Sequence, residues 1–353
     1  METAHNEAMR SELEKIAPGT ALREGLDYII SASTGALIVI GDIAAIDPLC
    51  DGGFEIDTPY TPTRLYELAK MDGAIILDAS KMRIHRANVH LQPDPSLPSL
   101  ETGMRHRTAE RASRQTGALV ISVSQRRDVM SLYLAGDRVI VQDIKVLLAK
   151  ADQALQTLQR YRARLDEVLD RLTILEFDDL VTMGDVAEVI GRFEMVRRVS
   201  REVSRYIVEL GTEGRLVRMQ AEELNATVDE QYALLVRDYA ADPGSRKVAG
   251  RRGKIESLTL DQLLEPAEIA NALGVADVVG AAEDHVQPRG FRVLSRIPML
   301  PGTVVNRLVD RFETMPGLLR AGTDELDEVD GVGARRATAI ADGLSRLGTH
   351  LLG

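Results

Sequence analysis

The sequence predicts a multidomain protein with an α/β N-terminal domain (a mixed sheet flanked by helices), an all-α helical spine, and a C-terminal module of two hairpin-and-helix repeats. Three observations predict this order. Strand and helix patterns alternate up to about residue 142, an uninterrupted heptad repeat follows, and glycine- or proline-containing turns precede two apolar helices near the end. At 353 residues the chain is too long for one ordinary core. We expect domains at 1–144, 145–285 and 286–353.

The composition is that of an ordinary globular protein, with 44% hydrophobic and 27% charged residues. The absence of Trp argues against single-strand binding on stacked aromatic side chains, and a net charge of −11 confines any DNA contact to a local surface. The single cysteine, Cys50, excludes a disulfide framework and fits a reducing cytoplasm. The N-terminus lacks a signal-peptide pattern, and the apolar run Ala36–Ile40 is far too short to span a membrane. We therefore expect a cytoplasmic protein without membrane contact.

In the N-terminal domain, apolar periodicity and turn residues predict three helices, four single strands and a hairpin. The helices span Ala21–Ser31, 61–70 (capped by Thr61) and Met104–Gln115 (ended by Gly117). The strands span Ala36–Ile40, Gly73–Leu77, Arg83–Leu91 and Ala118–Ser124, and the hairpin spans 129–141. Three prolines within 93–98 remove amide donors and fix φ, which predicts a surface loop.

A heptad repeat marks the start of the spine. Residues recur at spacings of four and three without Gly or Pro between them: Leu147, Ala151, Ala154, Leu158, Tyr161, Leu165, Val168 and Leu172. The pattern predicts a rod of roughly 40 Å whose seam is a bundle core or an oligomer interface. Further helices are expected at about 186–210 and 215–239, with short ones at 261–264 and 267–273. Residues 242–254 are predicted to be a basic, glycine-containing linker, and a DNA contact there is the alternative.

The C-terminal module contains two similar turns. Residues 297–302 precede an apolar helix, Thr303–Phe312, and some thirty residues later 329–334 precede another. From Val286 onward the sequence contains nine arginines and eight acidic residues. This segment therefore has a net charge of +1, whereas the whole chain has −11.

Glycines in the second turn let backbone N–H groups come close to a phosphate, and the arginines after it add charge. A plain connection between helices is the alternative interpretation. The candidate DNA contacts are Gly302, Thr303, Gly331, Gly333, Arg335 and Arg336.

The N-terminal domain contains both halves of a nucleotide site, a carboxylate able to hold a metal and cations able to hold phosphates. Asp72-Gly73-Ala74 precedes a strand. Cationic and hydroxyl residues follow, namely Arg105, His106, Arg107 and Thr108 at a helix start and Ser124, Arg126 and Arg127 after a strand. A helix N-terminus itself favours an anion.

Each group also has a purely structural interpretation. Asp72-Gly73 alone indicates a turn. The arginines of the helix start can form a solvated face that pairs with Glu101 and Glu110, and Ser124 can be the exposed end of a strand. Their occurrence together in one domain favours the nucleotide site. The remaining histidines, including His85 and His90, show no metal-ligand spacing.

Asp72-Gly73-Ala74 together with Arg105-His106-Arg107-Thr108 resembles the paired signature motifs of diadenylate cyclases. With the spine and a tandem helix-hairpin-helix repeat, the whole chain resembles the family of bacterial DNA integrity scanning proteins, which are DNA-binding diadenylate cyclases. The first hairpin, Leu300-Pro301-Gly302, departs from the glycine pattern of the second.

The resemblance implies that two ATP molecules condense to cyclic di-AMP with release of two pyrophosphates, and that Mg²⁺ or Mn²⁺ is required. It assigns Asp72 to the metal and the attacking 3′-hydroxyl, and Leu91 to adenine. The implied catalytic residues are Asp72, Gly73, Arg105, His106 and Arg107. The implied nucleotide contacts also include Ala74, Thr108, Ser124 and Arg127. The family forms homo-octamers and is inhibited by branched DNA such as Holliday junctions.

The chemistry itself requires two copies of the chain. Each 3′-hydroxyl must attack the α-phosphate of the other nucleotide, and one chain carries one set of motifs. Two chains must therefore face each other, each with one ATP, and fixing two reactants in this way is worth roughly 7–11 kcal/mol. A second hypothesis is a DNA-junction-binding scaffold whose nucleotide domain senses ATP without reacting.

Overall fold

The computed structural model describes residues 9, 11–124, 129–277 and 281–352. The chain divides into two compact units, one formed by 1–153 with 203–219 and the other by 154–202 with 220–353. This division cuts through long helices and does not follow the three predicted domains, which therefore stay a prediction. In the described part of the chain, no helix is both long and apolar enough to cross a membrane.

The first unit is built on a mixed sheet, as the sequence predicts. Its described strands are β1 (Ala36–Gly41), β2 (Cys50–Asp51), β3 (Phe54–Pro59), β4 (Ala74–Asp78), β5 (Arg83–Leu91), β6 (Leu119–Val123), β7 (Met130–Leu134) and β8 (Asp137–Val141). Their order is β2-β5-β4-β1-β6-β7-β8, and β3 pairs with β5. The central pair, β1 and β4, is parallel, and the other pairs are antiparallel.

Helices cover both faces of the sheet. They are α1 (11–15), α2 (Ala21–Ser31), α3 (Ile43–Ile46), α4 (Pro62–Leu68) and α5 (Met104–Thr116). Side chains of β1 alternate between two cores because successive residues of a strand point to opposite faces. Ile38 shares one core with Leu26 of α2, whereas Val39 shares the other with Ala109 and Ala112 of α5.

The predicted turn chemistry of this unit is confirmed. The Thr61 hydroxyl accepts a hydrogen bond from the Arg64 amide at 3.2 Å, and Gly117 ends α5 with φ of 68°. The sequence patterns did not indicate α3, β2 or β3. Strand β3 lies outside the main path of the sheet and exposes Phe54 and Glu55, so it lacks the apolar alternation that marks a half-buried strand.

The region after the sheet is helical, as predicted. Its helices are α6 (Ile144–Phe177), α7 (Met183–Leu210), α8 (Arg215–Asn225), α9 (Val228–Tyr239), α10 (Ser245–Ser257) and α11 (Pro266–Leu273). The 34 residues of α6 correspond to a length of about 51 Å. Most heptad positions are buried, and Ala154 and Tyr161 are half-buried.

Two details of this helical region differ from the prediction. The helix expected over 215–239 is broken at Thr227, whose φ is 69°. The expected linker at 242–254 is instead mostly helix α10. Val248 and Ile255, seven residues apart, are buried on one side of α10, and their packing outweighs the weak helix propensity of its two glycines.

The second unit ends with five helices, α12 (Phe291–Ser295), α13 (Gly302–Phe312), α14 (Met315–Arg320), α15 (Thr323–Asp327) and α16 (Ala334–Leu352). The buried Asp238 of α9 caps α12 by accepting hydrogen bonds from the amides of Gly290, Phe291 and Arg292 at 2.8, 2.7 and 3.0 Å. The buried guanidinium of Arg292 forms an ion pair with Glu176 of α6. Buried polar contacts therefore fix the start of this module to α6 and α9.

Candidate functional site

The register of the two central strands places the Asp-Gly motif at one edge of the sheet. β1 and β4 run in parallel with Leu37 opposite Ala74. Gly35, before β1, and Asp72, before β4, are each two residues back from this pair. They therefore lie at the same edge, where both strands begin.

The antiparallel neighbours end at this edge. Val89 of β5 is opposite the first residue of β4, so Leu91, two residues later, lies near Asp72 along the edge. Val123 of β6 is opposite the first residue of β1, and Ser124 follows it directly. The structure thus brings together residues from sequence positions 72, 91 and 124. Arg126 and Arg127 lie outside the described residues.

Asp72 is an exposed carboxylate with no hydrogen-bond or ion-pair partner among the described residues. Its neighbour Gly73 is required by close packing rather than by an unusual turn. A Cβ on Gly73 would lie 2.5 Å from the carbonyl carbon of Asn88 and 2.8 Å from the amide nitrogen of Val89. Asn88 has φ of 55° within an irregular part of the β4–β5 pairing. Gly73 therefore lets the chain before β4 approach β5.

Arg105 lies at the same edge of the sheet. Its Nη1 donates to the carbonyl of Val123 at 3.4 Å, and a Cβ on Gly35 would collide with this nitrogen. Gly35 therefore makes the space that Arg105 occupies, and no local sequence pattern indicated this role. Since Gly35 and Asp72 share the edge, Arg105 and the carboxylate lie at the same edge although they come from separate segments.

His106 points toward the sheet and bonds to the buried Tyr133. Its Nδ1 lies 3.0 Å from the Tyr133 hydroxyl, which donates to Glu101 at 3.0 Å. Glu101 also accepts from Nη1 of Arg138 at 2.9 Å. Burial, with a contribution from the bond to Glu101, raises the pKa of Tyr133, so the phenol keeps its proton at neutral pH. The sequence indicated no such role for Tyr133 or Arg138, and it suggested Glu101 only as a partner of the arginines at the helix start.

Arg107 and Thr108 complete the first turns of α5. Arg107 is exposed, and its Nη2 donates to the Thr102 carbonyl at 3.2 Å, whereas Thr108 is half-buried. No side chain of the described residues caps the N-terminus of α5, so its first amides can donate hydrogen bonds to an anion. Within the described residues, neither Arg105 nor Arg107 forms an ion pair with Glu101 or Glu110. The pairing expected in the structural alternative is therefore not found there, although the exposure of Arg107 fits a solvated helix face.

The proline loop before α5 is held against that helix. Glu110 is buried and accepts hydrogen bonds from the Ser99 hydroxyl at 2.6 Å and the Leu100 amide at 3.1 Å. Arg111 donates to the Leu97 carbonyl at 2.8 Å. Both the loop and the start of α5 are therefore held in place. Leu100 and Met104 nonetheless project outward, with 97% and 85% of their surfaces exposed.

The possible metal ligands at the edge suit a metal ion that is bound jointly by the protein and the substrate. Within the part of the chain that the structure describes, no three His, Cys, Asp or Glu side chains lie close enough to hold a metal ion. Mg²⁺ is commonly bound by one or two carboxylates, with water and substrate phosphates as the other ligands. The exposed carboxylate of Asp72 fits this arrangement.

The second hairpin of the C-terminal module presents its backbone to solvent. Gly331 has φ of 85°, a conformation that favours glycine, and a Cβ on Gly333 would meet no atom within 4 Å. Arg335 is exposed. Arg336 donates to the Gly331 carbonyl at 2.6 Å and so braces the turn, while Arg307 donates to the carbonyl of the preceding residue at 2.9 Å.

The first hairpin has the same backbone course with different residues. The carbonyls of Pro301 and Gly333 accept the first helical bonds of α13 and α16, each at 3.0 Å. Met299 lies two residues before Pro301, just as Gly331 lies two residues before Gly333. The φ of Met299 is also positive, at 62°. Gly302 and Thr303 are exposed at the start of α13. The repeat seen in the sequence is therefore also a repeat of backbone conformation.

Comparisons with known proteins match most of the chain. The family model described as "DisA bacterial checkpoint controller nucleotide-binding" matches residues 23–138, and "DisA bacterial checkpoint controller linker region" matches 141–281. The DNA integrity scanning protein DisA of Symbiobacterium thermophilum is 51% identical over 95% of this chain and 94% of its own length. Proteins of the same name from Streptomyces avermitilis and Carboxydothermus hydrogenoformans are 48% and 49% identical over 96% and 95% of this chain, and over 91% and 95% of their own lengths.

Proposed function

Since the chain belongs to the family of DNA integrity scanning proteins named DisA, we propose that it condenses two ATP molecules into cyclic di-AMP and that DNA bound to its C-terminal module inhibits this reaction. The enzyme class is diadenylate cyclase, a nucleotidyltransferase. The observation that carries the proposal is that Asp72, Arg105, Leu91 and Ser124 lie along one edge of the mixed sheet.

The reaction forms two phosphodiester bonds and breaks two phosphoanhydride bonds. Each 3′-hydroxyl attacks the α-phosphorus of the opposite ATP and loses its proton, and each α–β bond breaks to release pyrophosphate. One chain supplies one nucleotide site, so the reacting unit is a pair of facing chains. Alignment of the two nucleotides is the main catalytic contribution, worth roughly 7–11 kcal/mol.

Exposed apolar side chains beside the edge support a facing copy. Leu100 and Met104 flank the start of α5 and are almost fully exposed. Exposed apolar groups next to a phosphate site fit a protein partner that covers them, and a two-fold contact between identical chains is the commonest arrangement. We propose that such pairs assemble further into a homo-octamer.

Each site residue then has a role. Asp72 would hold Mg²⁺ or Mn²⁺, which supplies charge neutralisation at the phosphates and makes the attacking hydroxyl easier to deprotonate. Gly73 and Ala74 keep Asp72 at the edge, and Leu91 contacts adenine. The phosphate contacts are assigned to Arg105, His106, Arg107, Thr108, Ser124 and Arg127. Preorganised donors of this kind stabilise charge that develops in the transition state.

The first experiment asks whether the chemistry occurs. The full-length protein is incubated with ATP and Mg²⁺ or Mn²⁺, and cyclic di-AMP and pyrophosphate are measured. We expect one cyclic dinucleotide for every two pyrophosphates. ATP binding without pyrophosphate release would instead support the ATP-sensing scaffold.

The second experiment removes the proposed metal ligand. Asp72→Asn should lower product formation at least about a hundredfold, the scale for loss of a key electrostatic group. It should leave the melting temperature unchanged because Asp72 is exposed and unpaired among the described residues. Glu55→Gln, an equally exposed acid on β3, is the matched control and should keep full activity. Full activity of Asp72→Asn would remove this residue from the mechanism.

A further inference from the structure

We propose that Tyr133 and Glu101 are positioning residues for the nucleotide reaction, which act by fixing the proton on Nδ1 of His106 and the orientation of its ring. The proposal rests on the proposed function because His106 is assigned there to the phosphates. Neither Tyr133 nor Glu101 belongs to the two signature motifs, and both act through His106 rather than on the substrate.

Hydrogen-bond donors and acceptors decide where the proton lies. A carboxylate at neutral pH can only accept, and a phenol has one hydrogen to donate. The Tyr133 hydroxyl is 3.0 Å from Oε1 of Glu101, so its hydrogen goes to that oxygen. Its bond to Nδ1 of His106, also 3.0 Å, therefore needs the hydrogen of the imidazole. Nδ1 donates, and the neutral ring is held in one tautomer, as the bond to a second group commonly dictates.

Three separate elements hold this chain of hydrogen bonds in place. His106 is on α5, Glu101 is in the loop before it, and Tyr133 is on β7, where it pairs with Arg138 of β8. Arg138 bonds both to Glu101 at 2.9 Å and to the hydroxyl of Ser131 at 3.1 Å. The acceptor for Tyr133 is therefore itself fixed.

The burial of Tyr133 explains why its hydroxyl needs these hydrogen-bond partners. The side chain is fully buried in the core between α5 and the sheet, and a buried hydroxyl without partners would be costly. The charged groups around His106 are Arg105 and Arg107 on its own helix and Glu101 and Arg138 across from it. The Tyr133 hydroxyl contacts both the imidazole of His106 and the carboxylate of Glu101, and so connects the two.

Fixing Nδ1–H has a consequence for the reaction. The other ring nitrogen, Nε2, points away from Tyr133, and in the neutral ring it carries a lone pair and no proton. His106 then donates to a phosphate oxygen only as an imidazolium. The bond from Nδ1–H to Tyr133 fixes the orientation of the ring in both the neutral and the protonated state. If the hydroxyl is lost, the ring can rotate, so both binding and alignment of the nucleotide suffer.

A double-mutant cycle tests the proposal. Tyr133→Phe keeps the aromatic volume and removes only the hydroxyl, and we expect kcat/KM to fall roughly tenfold to hundredfold, by analogy with groups that orient metal-binding histidines. In a His106→Gln background the same change should cost less than about twofold, because residues that act through one another are not additive. Equal losses in both backgrounds would show that Tyr133 acts only through the fold and would overturn the proposal.

Tyr60→Phe is the matched control, since it removes a hydroxyl that donates to the Ala21 carbonyl at 3.0 Å in the same unit. It should leave kcat/KM within about twofold, and a loss as large as that of Tyr133→Phe would also count against the proposal. The same double-mutant cycle is also measured with the Kd of 3′-deoxy-ATP. This analogue lacks the attacking hydroxyl, so its binding is measured without any reaction. Failure of the wild-type protein to form product would refute the proposed function, whereas additive changes in this Kd would refute the positioning role.

Discussion

Gly73 at the sheet edge and Gly333 in the second hairpin both lie beside a proposed phosphate site, but the fold constrains them in opposite ways. A Cβ on Gly73 would lie 2.5 Å from the backbone of Asn88, whereas a Cβ on Gly333 would meet nothing within 4 Å. Neither glycine has a positive φ. The fold therefore demands glycine at 73 and tolerates a side chain at 333.

This difference separates two physical reasons for a glycine at a phosphate site. At position 73 the missing side chain lets two segments of the same chain approach, and the position of Asp72 follows from that packing. At position 333 the missing side chain leaves space for a ligand outside the chain. A substitution should consequently change both stability and activity at the first position, and binding alone at the second.

The largest effect is expected for Gly73→Ala. The methyl group would collide with the β5 backbone, which costs about 1–3 kcal/mol of unfolding free energy. Displacement of Asp72 should lower cyclic di-AMP formation roughly a hundredfold, the scale for misplacing a reacting group by about 1 Å. Thermal unfolding and product formation are measured together. Gly253→Ala, in open space on α10, is the control. Its free energy of unfolding should rise by up to about 1 kcal/mol, and its activity should be unchanged.

The next largest effect is expected for Gly333→Asp. Asp starts a helix well, so α16 and the melting temperature should be preserved. The added carboxylate should repel the DNA backbone and lower affinity for a four-way junction at least about tenfold. Gly322→Asp makes the same change at the start of α15, where a Cβ also meets nothing within 4 Å. If both variants bind the junction equally well, the second hairpin is not the contact.

A smaller effect should distinguish the two arginines after this hairpin. Arg335→Ala should weaken junction binding several-fold and reduce the salt slope by about one, without a change in stability, because the side chain is exposed. Arg336→Ala should lower both affinity and stability, since Arg336 also braces the turn at Gly331. Junction titrations at several salt concentrations and thermal melts separate the two, and identical behaviour would contradict the distinction.

The smallest effect concerns the first hairpin. Met299 is 95% exposed and holds a positive φ that Gly331 adopts without strain. Met299→Gly should therefore raise the free energy of unfolding by up to about 1 kcal/mol. Urea unfolding measures the change, and a loss of stability would mean that the Met299 side chain contributes packing that outweighs the strain.

The sequence predicted those parts of the fold that local patterns encode. The bounds of α2 and α5, the cap at Thr61 and the edge position of Asp72 follow from periodicity and turn residues within short windows. Contacts between distant segments left no such pattern. Gly35 makes room for Arg105 seventy positions later, and Tyr133 bonds His106 from another strand. Helix α10 was misread because its glycines suggested a linker, while the buried stripe that stabilises it consists of only Val248 and Ile255.

The ion pair between Arg292 and Glu176 has a mechanical consequence. Both side chains are almost fully buried, and separating such a pair leaves an uncompensated charge in a dry interior, at a cost of roughly 3–5 kcal/mol. Small sliding motions between α12 and the end of α6 are therefore strongly opposed. We therefore expect a displacement of α12 to be transmitted to the end of α6 within the second unit.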